Sequence, residues 1–427
     1  MRTSRAGRAL LSSLVLLAVL IVPGSARADA VTDWNTIAAA ALQDPAGVGG
    51  AGQGAPSTAH LAMVHGAVYD AVNAIDGSHE PYVYSPPAAH WYSQPAAAVT
   101  AAYRMLTAAP AGVPPLGLTA ARRPAVDSAY TAALAAIPDG PAKTGGVATG
   151  EAAASAMFAA RAVDGRFGPF RFTIGTMPGE WRPFPEGSAS DPGAWLKDVT
   201  PFVLRDPDLF RARPPHGLTT RAYAVELAEV QEVGSLTATP AERTLAQTQA
   251  AQFWGTTNAT ATMASALRSV AATQGGDLAE NARMFASTYT NAADALIVTW
   301  RDKARYSSWR PLHAIRLADT DGNRATEPDR TWTPLIPAPP YPEHPGGLST
   351  FGGAVAQSLQ DFYGTDRVTY SATTQGGVTR QFGSFSQLRD DIIDARVWSG
   401  IHFRFGDEEG AKIGRRVAHW DARHAFR

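Results

Sequence analysis

Apolar residues recur along this chain at the three- and four-residue steps of a buried helical face, and Pro- and Gly-rich connectors cut them into separate segments. Between Ser57 and Ile75, the residues Leu61, Val64, Val68, Val72 and Ile75 make one such stripe, and Gly77 offers a stop. Further helices are expected near 94–108, 120–136, 146–163, 219–233 and 240–254. The region 165–217 is rich in Pro, Gly, Trp and Phe without a clear period, which predicts a long, ordered connection between two helical halves. The expected fold is all-α. Cysteine is absent, so packing alone must stabilise it, and disulfides, thiolate nucleophiles and Cys-ligated metal sites are excluded.

The formal net charge of −1 gives no basis for a nucleic-acid partner or an acidic membrane surface. The N-terminus carries a secretory pattern: Arg2, Arg5 and Arg8, an apolar stretch from Ala9 to Val22, then the small-residue patterns Ala26-Arg27-Ala28 or Ala28-Asp29-Ala30. The apolar stretch is short for a membrane span, and no adjacent arginine pair marks the twin-arginine route. Residues 1–28 are therefore expected to be a signal peptide of a secreted protein without a stable membrane anchor. Residues 29–427 are expected to form the helical domain, with an N-terminal half at about 31–235 and a C-terminal half at about 240–427.

The C-terminal half concentrates the chemistry. Asp277 and Glu280 form a capping-box pattern. Leu278, Phe285, Tyr289, Leu296 and Trp300 continue it as a stripe, and Lys303, three residues beyond Trp300, falls on the core side. Pro311 biases Arg310 out of the helical region, onto a turn. The proline-heavy loop Pro334 to Pro345 leads to Gly346-Gly347, and Leu348, Phe351, Val355, Leu359 and Phe362 form the next stripe. Glycines at a helix start bring free N–H groups close to an anion. A last helix is expected from about Ser386. Arg396 and His402 lie six residues apart, about 240° around an ideal helix; to share a target the helix must end or bend, and Gly400 offers the place. One lysine, two arginines and a histidine in apolar sequence are costly to bury unless an anion neutralises them.

Lys303-x6-Arg310-Pro311, Pro345-Gly346-Gly347-Leu348 and Arg396-x5-His402, in this order, resemble the signature of the vanadium-dependent haloperoxidase and type 2 phosphatidic acid phosphatase superfamily. Its pattern is Lys-x6-Arg-Pro, Pro-Ser-Gly-His and Ser-Arg-x5-His-x3-Asp. The segments "DALIVTWRDKARYSSWRPLHAIRLADTDGN", "YPEHPGGLSTFGGA" and "ARVWSGIHFRFGDEEG" are similar to bacterial chloroperoxidase-like members. The resemblance implies two helical bundles and an oxyanion cradle for vanadate or phosphate. Lys303, Arg310 and Arg396 would neutralise the oxygens, with Gly346 and Gly347 at the turn and the Gly347 N–H as a donor. His402 would bond the vanadium of vanadate. Hydrogen peroxide and halide would be the reactants. Alternatives on the same pocket are an acid phosphatase, acting on a phosphate ester through a phospho-His402 intermediate, and a non-catalytic oxyanion-binding pseudoenzyme. The chain departs from the pattern at Gly346 (serine), Leu348 (the acid–base histidine), Ala395 (serine) and Gly406 (aspartate), with Asp407 one residue late and positioned to orient His402 only if the turn shifts. An acidic residue follows Phe-Trp in many relatives, whereas Phe253-Trp254 lead here into Gly255-Thr256.

Simpler readings compete elsewhere. Leu348 prolongs an apolar stripe and fits core packing. His313 and His344 are the nearby histidines that could replace the missing proton donor, although capping or solvated roles are commoner. Asp319 to Asn323 evokes a calcium loop, but its glycine is out of register and Arg330 stands where the bidentate Glu belongs. The His60/His65 and His419/His424 spacings place each pair on different helix faces. Asn258-Ala259-Thr260 matches a glycosylation acceptor, a pattern common by chance.

Overall fold

The computed structural model describes residues 29–44, 50, 52, 54–255 and 259–427. The secretory pattern of residues 1–28 and Asn258 lie outside them. Helices α1 (Ala30–Leu42), α2 (Gly54–Asp76), α3 (Gln94–Thr107), α4 (Arg123–Ala135) and α5 (Pro141–Ala160) precede the long connection. Next come α6 (Arg221–Val233), α7 (Leu245–Gly255), α8 (Ala259–Gln274), α9 (Leu278–Tyr306), α10 (Pro311–Arg316), α11 (Gly347–Tyr363), α12 (Phe385–Trp398) and α13 (Arg404–Asp421). A two-stranded antiparallel hairpin, β1 (Tyr370–Thr373) with β2 (Thr379–Phe382), precedes α12, with Tyr370 opposite Phe382. The fold is otherwise all-α, as the periodicity predicts. Among the described residues no helix is long and apolar enough to cross a membrane.

α9 is the axis of the molecule. Its capping box forms as expected: the Asp277 carboxylate accepts from the Glu280 N–H at 2.9 Å and Glu280 accepts from the Asp277 N–H at 3.1 Å. Behind the cap nearly every residue from Asn281 to Lys303 is buried, the mark of a helix packed on all sides. It contacts α2 from the first half and α11 and α13 from the second, so one apolar cluster runs from Val31 to Ala418.

Two carboxylates buried on α9 explain why the aperiodic stretch 165–217 is ordered. Asp294 accepts the N–H groups of Phe202, Val203 and Leu204 at 2.6, 2.8 and 2.7 Å, and Asp302 accepts that of Ala212 at 2.7 Å. Backbone donors that a loop would otherwise leave to water are satisfied by the axial helix. The turn at Asp319–Asn323 is likewise closed on itself: Asp321 accepts from the Asn323 N–H and the Thr326 hydroxyl. His60 packs against Phe167 and Trp195, which also touch each other, whereas His65 stacks on Tyr289.

The helix expected from about Ser386 ends where Gly400 offered the break. α12 stops at Trp398, Gly400 adopts φ +76°, and α13 starts at Arg404. The break is steric as well as conformational, because a Cβ on Gly400 would run into the Gly234 carbonyl just past α6. Gly112 has a similar φ of +81° with nothing nearby. Gly400→Ala is thus expected to lower the unfolding free energy by about 2–4 kcal/mol and Gly112→Ala by only about 1 kcal/mol. Equal losses in urea titrations would show that the Gly234 contact carries no weight.

Candidate oxyanion site

Each sequence-predicted residue reaches the site by a different local device. The last turn of α9 carries Lys303 inward, and Ser307, in the left-handed region at φ 40°, ends the helix. Arg310 caps α10 in extended geometry, as Pro311 requires. Gly346 caps α11, and Gly347 is its first residue, close against Trp300. Arg396 lies in the last turn of α12, and His402 follows the Gly400 break. All four chemical side chains are buried: Lys303 0 %, Arg310 1 %, Arg396 6 % and His402 2 % exposed.

The structure brings them together. The Lys303 ammonium donates to the carbonyls of Pro342 at 2.8 Å and Glu343 at 2.7 Å. Arg310 donates to the carbonyls of Tyr341 at 3.0 Å and Ile401 at 2.9 Å, and through Nη1 to His402 Nε2 at 2.9 Å. A guanidinium only donates, so Nε2 holds the lone pair and Nδ1 the proton. Burial, with Arg310, Arg396 and Lys303 nearby, holds His402 well below the usual imidazole range, and the ring is neutral. Arg396 is the least satisfied cation. It has a 3.3 Å contact to the Trp254 carbonyl, and its buried Nε has no partner.

Two carboxylates complete the cluster, and sequence reasoning missed the more important one. His402 Nδ1 donates to Glu343 Oε1 at 2.8 Å, and the Phe403 N–H adds a second bond at 3.2 Å. Asp407, which the sequence offered as the partner of that nitrogen, lies farther away at 3.9 Å and instead accepts from the Ser349 hydroxyl at 2.8 Å. Space decides both placements. A Cβ on Gly406 would come within 2.6 Å of Glu343 Oε1, and one on Gly346 would overlap Asp407 Oδ1. The glycines that replace the pattern's aspartate and serine leave room for these two acids. The available signal was an acidic residue inside a proline-rich loop directly before the glycine turn.

Leu348 is partly buried and packs against the core at the head of α11, consistent with its apolar stripe. His344 lies beside Glu343, with Nε2 2.8 Å from the Arg213 carbonyl, and burial brings its ring down to about 4. His313, also lowered to about 4 by burial and by Arg182, packs edge-on to Phe184. Both rings are neutral near pH 7, so neither is a ready proton donor there.

A tetrahedral oxyanion suits this donor set, since Arg396 keeps an unpartnered buried N–H and three cations outnumber two carboxylates. The acids oppose it while ionised. Burial pushes Glu343 up to about 8 against Lys303 and Arg310, and Asp407 up to about 7 against Arg396. Burial and Arg310 hold Lys303 well below its usual value, and a bound anion would raise it again. Below their raised pKa values the acids are neutral and the positive surplus grows. Affinity for sulfate, whose charge is constant over this range, is therefore expected to rise by about tenfold between pH 8.5 and 6. Asp407→Asn should make that profile shallower, leaving the part that Glu343 contributes. Calorimetry showing a pH-independent affinity in the unmodified protein would refute the account.

Residues 283–427 match the family described as the VCPO second helical-bundle domain, a span that contains Lys303, Arg310, Arg396 and His402. The vanadium chloroperoxidase of Curvularia inaequalis is 37% identical over 95 residues, which cover 20% of this chain and 15% of that protein. Among solved structures, a bacterial vanadium-dependent iodoperoxidase superposes with a TM-score of 0.75 at 22% identity, covering 93% of this chain and 95% of the other. A holo-type bacterial vanadium-dependent chloroperoxidase gives 0.65 at 15% identity, covering 94% of each chain. Those superpositions carry the fold over nearly the whole length, and the matched bundle carries the cation cluster. The match covers the C-terminal bundle that carries the cation cluster, and the Pro345-Gly346-Gly347-Leu348 turn of this chain departs there from Pro-Ser-Gly-His.

Proposed function

We propose that the chain is an exported, vanadate-dependent haloperoxidase-like protein with weakened turnover, oxidising halide with hydrogen peroxide. The observation that supports this reading most is the convergence of Lys303, Arg310, Arg396 and a neutral His402 in one water-poor cluster. Lys303, Arg310 and Arg396 would hold the vanadate oxygens by charge and hydrogen bonds, and His402 would offer Nε2 to the vanadium. Vanadate, when bound, supplies a Lewis-acid centre that activates hydrogen peroxide toward halide. Glu343 keeps the proton on Nδ1, which leaves Nε2 as the free ligand nitrogen. Arg310 is bonded to that nitrogen here, and with vanadate in place its donors would serve the oxygens instead.

Weakened turnover follows from Leu348. A positioned acid–base group is worth roughly 10²–10⁴ in rate, and neither His313 nor His344 is protonated near neutral pH. A second reading, oxyanion binding without turnover, draws on the same leucine and on the two acids within the cluster. The phosphatase reading needs a protonated leaving group as well and meets the same deficit. The N-terminal basic and apolar pattern supports export.

Arg396→Ala is expected to abolish vanadate binding in calorimetry; unchanged affinity would remove Arg396 from the site. Leu348→His is expected to raise halide-dependent peroxide consumption, measured with added vanadate, by at least about tenfold, the low end of an acid–base contribution. Vanadate binding without turnover in both forms would favour the pseudoenzyme. Hydrolysis of an aryl phosphate without vanadate would favour the phosphatase.

A further inference from the structure

Tyr341 opens the short run that wraps the buried cations, and its ring packs among them. The ring centroid lies 5.2 Å from the Lys303 Nζ and 4.9 Å from the Arg310 Cζ, and the Trp300 ring stands 5.5 Å away. Cations over an aromatic face are attracted to its negative quadrupole. The backbone is fixed too: the Tyr341 N–H donates to the Pro339 carbonyl at 2.9 Å, and the Tyr341 carbonyl accepts from Arg310 Nε at 3.0 Å.

The hydroxyl end belongs to the same cluster. After burial, the phenol is the first influence on both Arg310 and Arg396, ahead of Glu343 on the one and of Asp407 on the other. Arg396 makes no contact with the ring among the described residues, so that effect comes from the oxygen. Tyr341 is only half-buried, and its oxygen, unlike Arg396 Nε, is open to a small solute. Among the described residues the hydroxyl has no hydrogen-bond partner.

The glycine turn cannot supply such a donor. Gly346 replaces the serine of the family pattern, and Asp407 fills the space in which a side chain there would stand. The next hydroxyls on α11 are already taken, Ser349 by Asp407 at 2.8 Å and Thr350 by the Gly346 carbonyl at 2.8 Å.

We propose that Tyr341 is an oxyanion-binding residue, its hydroxyl donating to an oxygen of the bound anion beside Arg396 and replacing the serine hydroxyl that Gly346 lacks. The inference rests on the oxyanion reading of the cluster and adds to it a neutral donor on the solvent side.

Sulfate is the probe, followed on the whole chain by calorimetry and by tyrosine ultraviolet difference spectra. Tyr341→Phe keeps the ring against Trp300 and Lys303, so the urea unfolding midpoint should hold. Sulfate affinity should fall by about tenfold, the weight of one hydrogen bond to a charged group. Sulfate should perturb the tyrosine spectrum of the unmodified chain and leave that of Tyr341→Phe unchanged, whereas Tyr363→Phe, at the far end of α11, should keep both the affinity and the signal. Unchanged affinity in Tyr341→Phe, or a sulfate signal that survives it, would overturn the proposal and leave the oxyanion reading standing. Should that variant be destabilised, the unmodified chain decides: sulfate binding without a tyrosine signal overturns the proposal. Binding of neither sulfate nor vanadate to the unmodified chain would overturn both.

Discussion

The constraint on which the rest depends is the burial of three cations where α9, α11, α12 and α13 meet. Each ion removed from water costs on the order of several kcal/mol even after relaxation. The structure offsets this mostly with backbone dipoles. Tyr341, Pro342 and Glu343 present successive carbonyls to Arg310 and Lys303. The prolines of the 334–345 loop make this arrangement feasible, because Pro339, Pro340, Pro342 and Pro345 bring no N–H that would need its own acceptor in the interior. The amides that remain are matched: Tyr341 to the Pro339 carbonyl, Glu343 to the Ser308 carbonyl and His344 to the Ser308 hydroxyl. A loop that looks irregular in sequence is therefore the anchoring element of the charged cluster.

The departures from the family pattern are coupled substitutions of volume and charge. Gly406 vacates the space in which Glu343 meets His402 Nδ1, and Gly346 vacates the space that Asp407 fills. In each case a glycine and an acid on another element form one packing unit. Removing the acid alone would leave a void beside unneutralised cations. Adding a side chain to the glycine alone would drive it into a carboxylate. The cluster thus holds two buried carboxylates among its three positive side chains, and this ties anion affinity to protonation.

What was legible in the sequence was whatever depends on neighbours within a few turns. The stripe through Val64, Val68 and Val72 located α2 to within three residues at its start. The spacing of Lys303 from Trp300 foretold an inward lysine, and Gly400 marked a break that the geometry of Arg396 and His402 demanded. The role of Glu343 was not legible, because its partner lies 59 residues away and the two meet only once α11 and α13 are packed. The order of residues 165–217 was expected, but its cause was hidden for the same reason: Asp294 and Asp302 read as ordinary polar positions of a helix until the chain crosses back over them. The short hairpin and the α8 helix went unseen, their stripes too weak to stand apart from an Ala- and Thr-rich background.

Glu343 joins the two halves of the functional argument. One of its oxygens accepts from His402 Nδ1 and the Phe403 N–H, and the same residue lines a neighbouring cavity of about 250 Å³. Its proton affinity is set by burial on one side and by Lys303 and Arg310 on the other. Whatever changes the charge of this carboxyl changes how firmly it holds the Nδ1 proton, and so the basicity of Nε2. Linkage makes such an effect reciprocal: an anion that draws on Nε2 must alter the proton affinity of Glu343 in turn. A single buried acid, given room by the absence of a side chain at Gly406, is thus the point through which protonation and anion binding in the charged cluster are coupled.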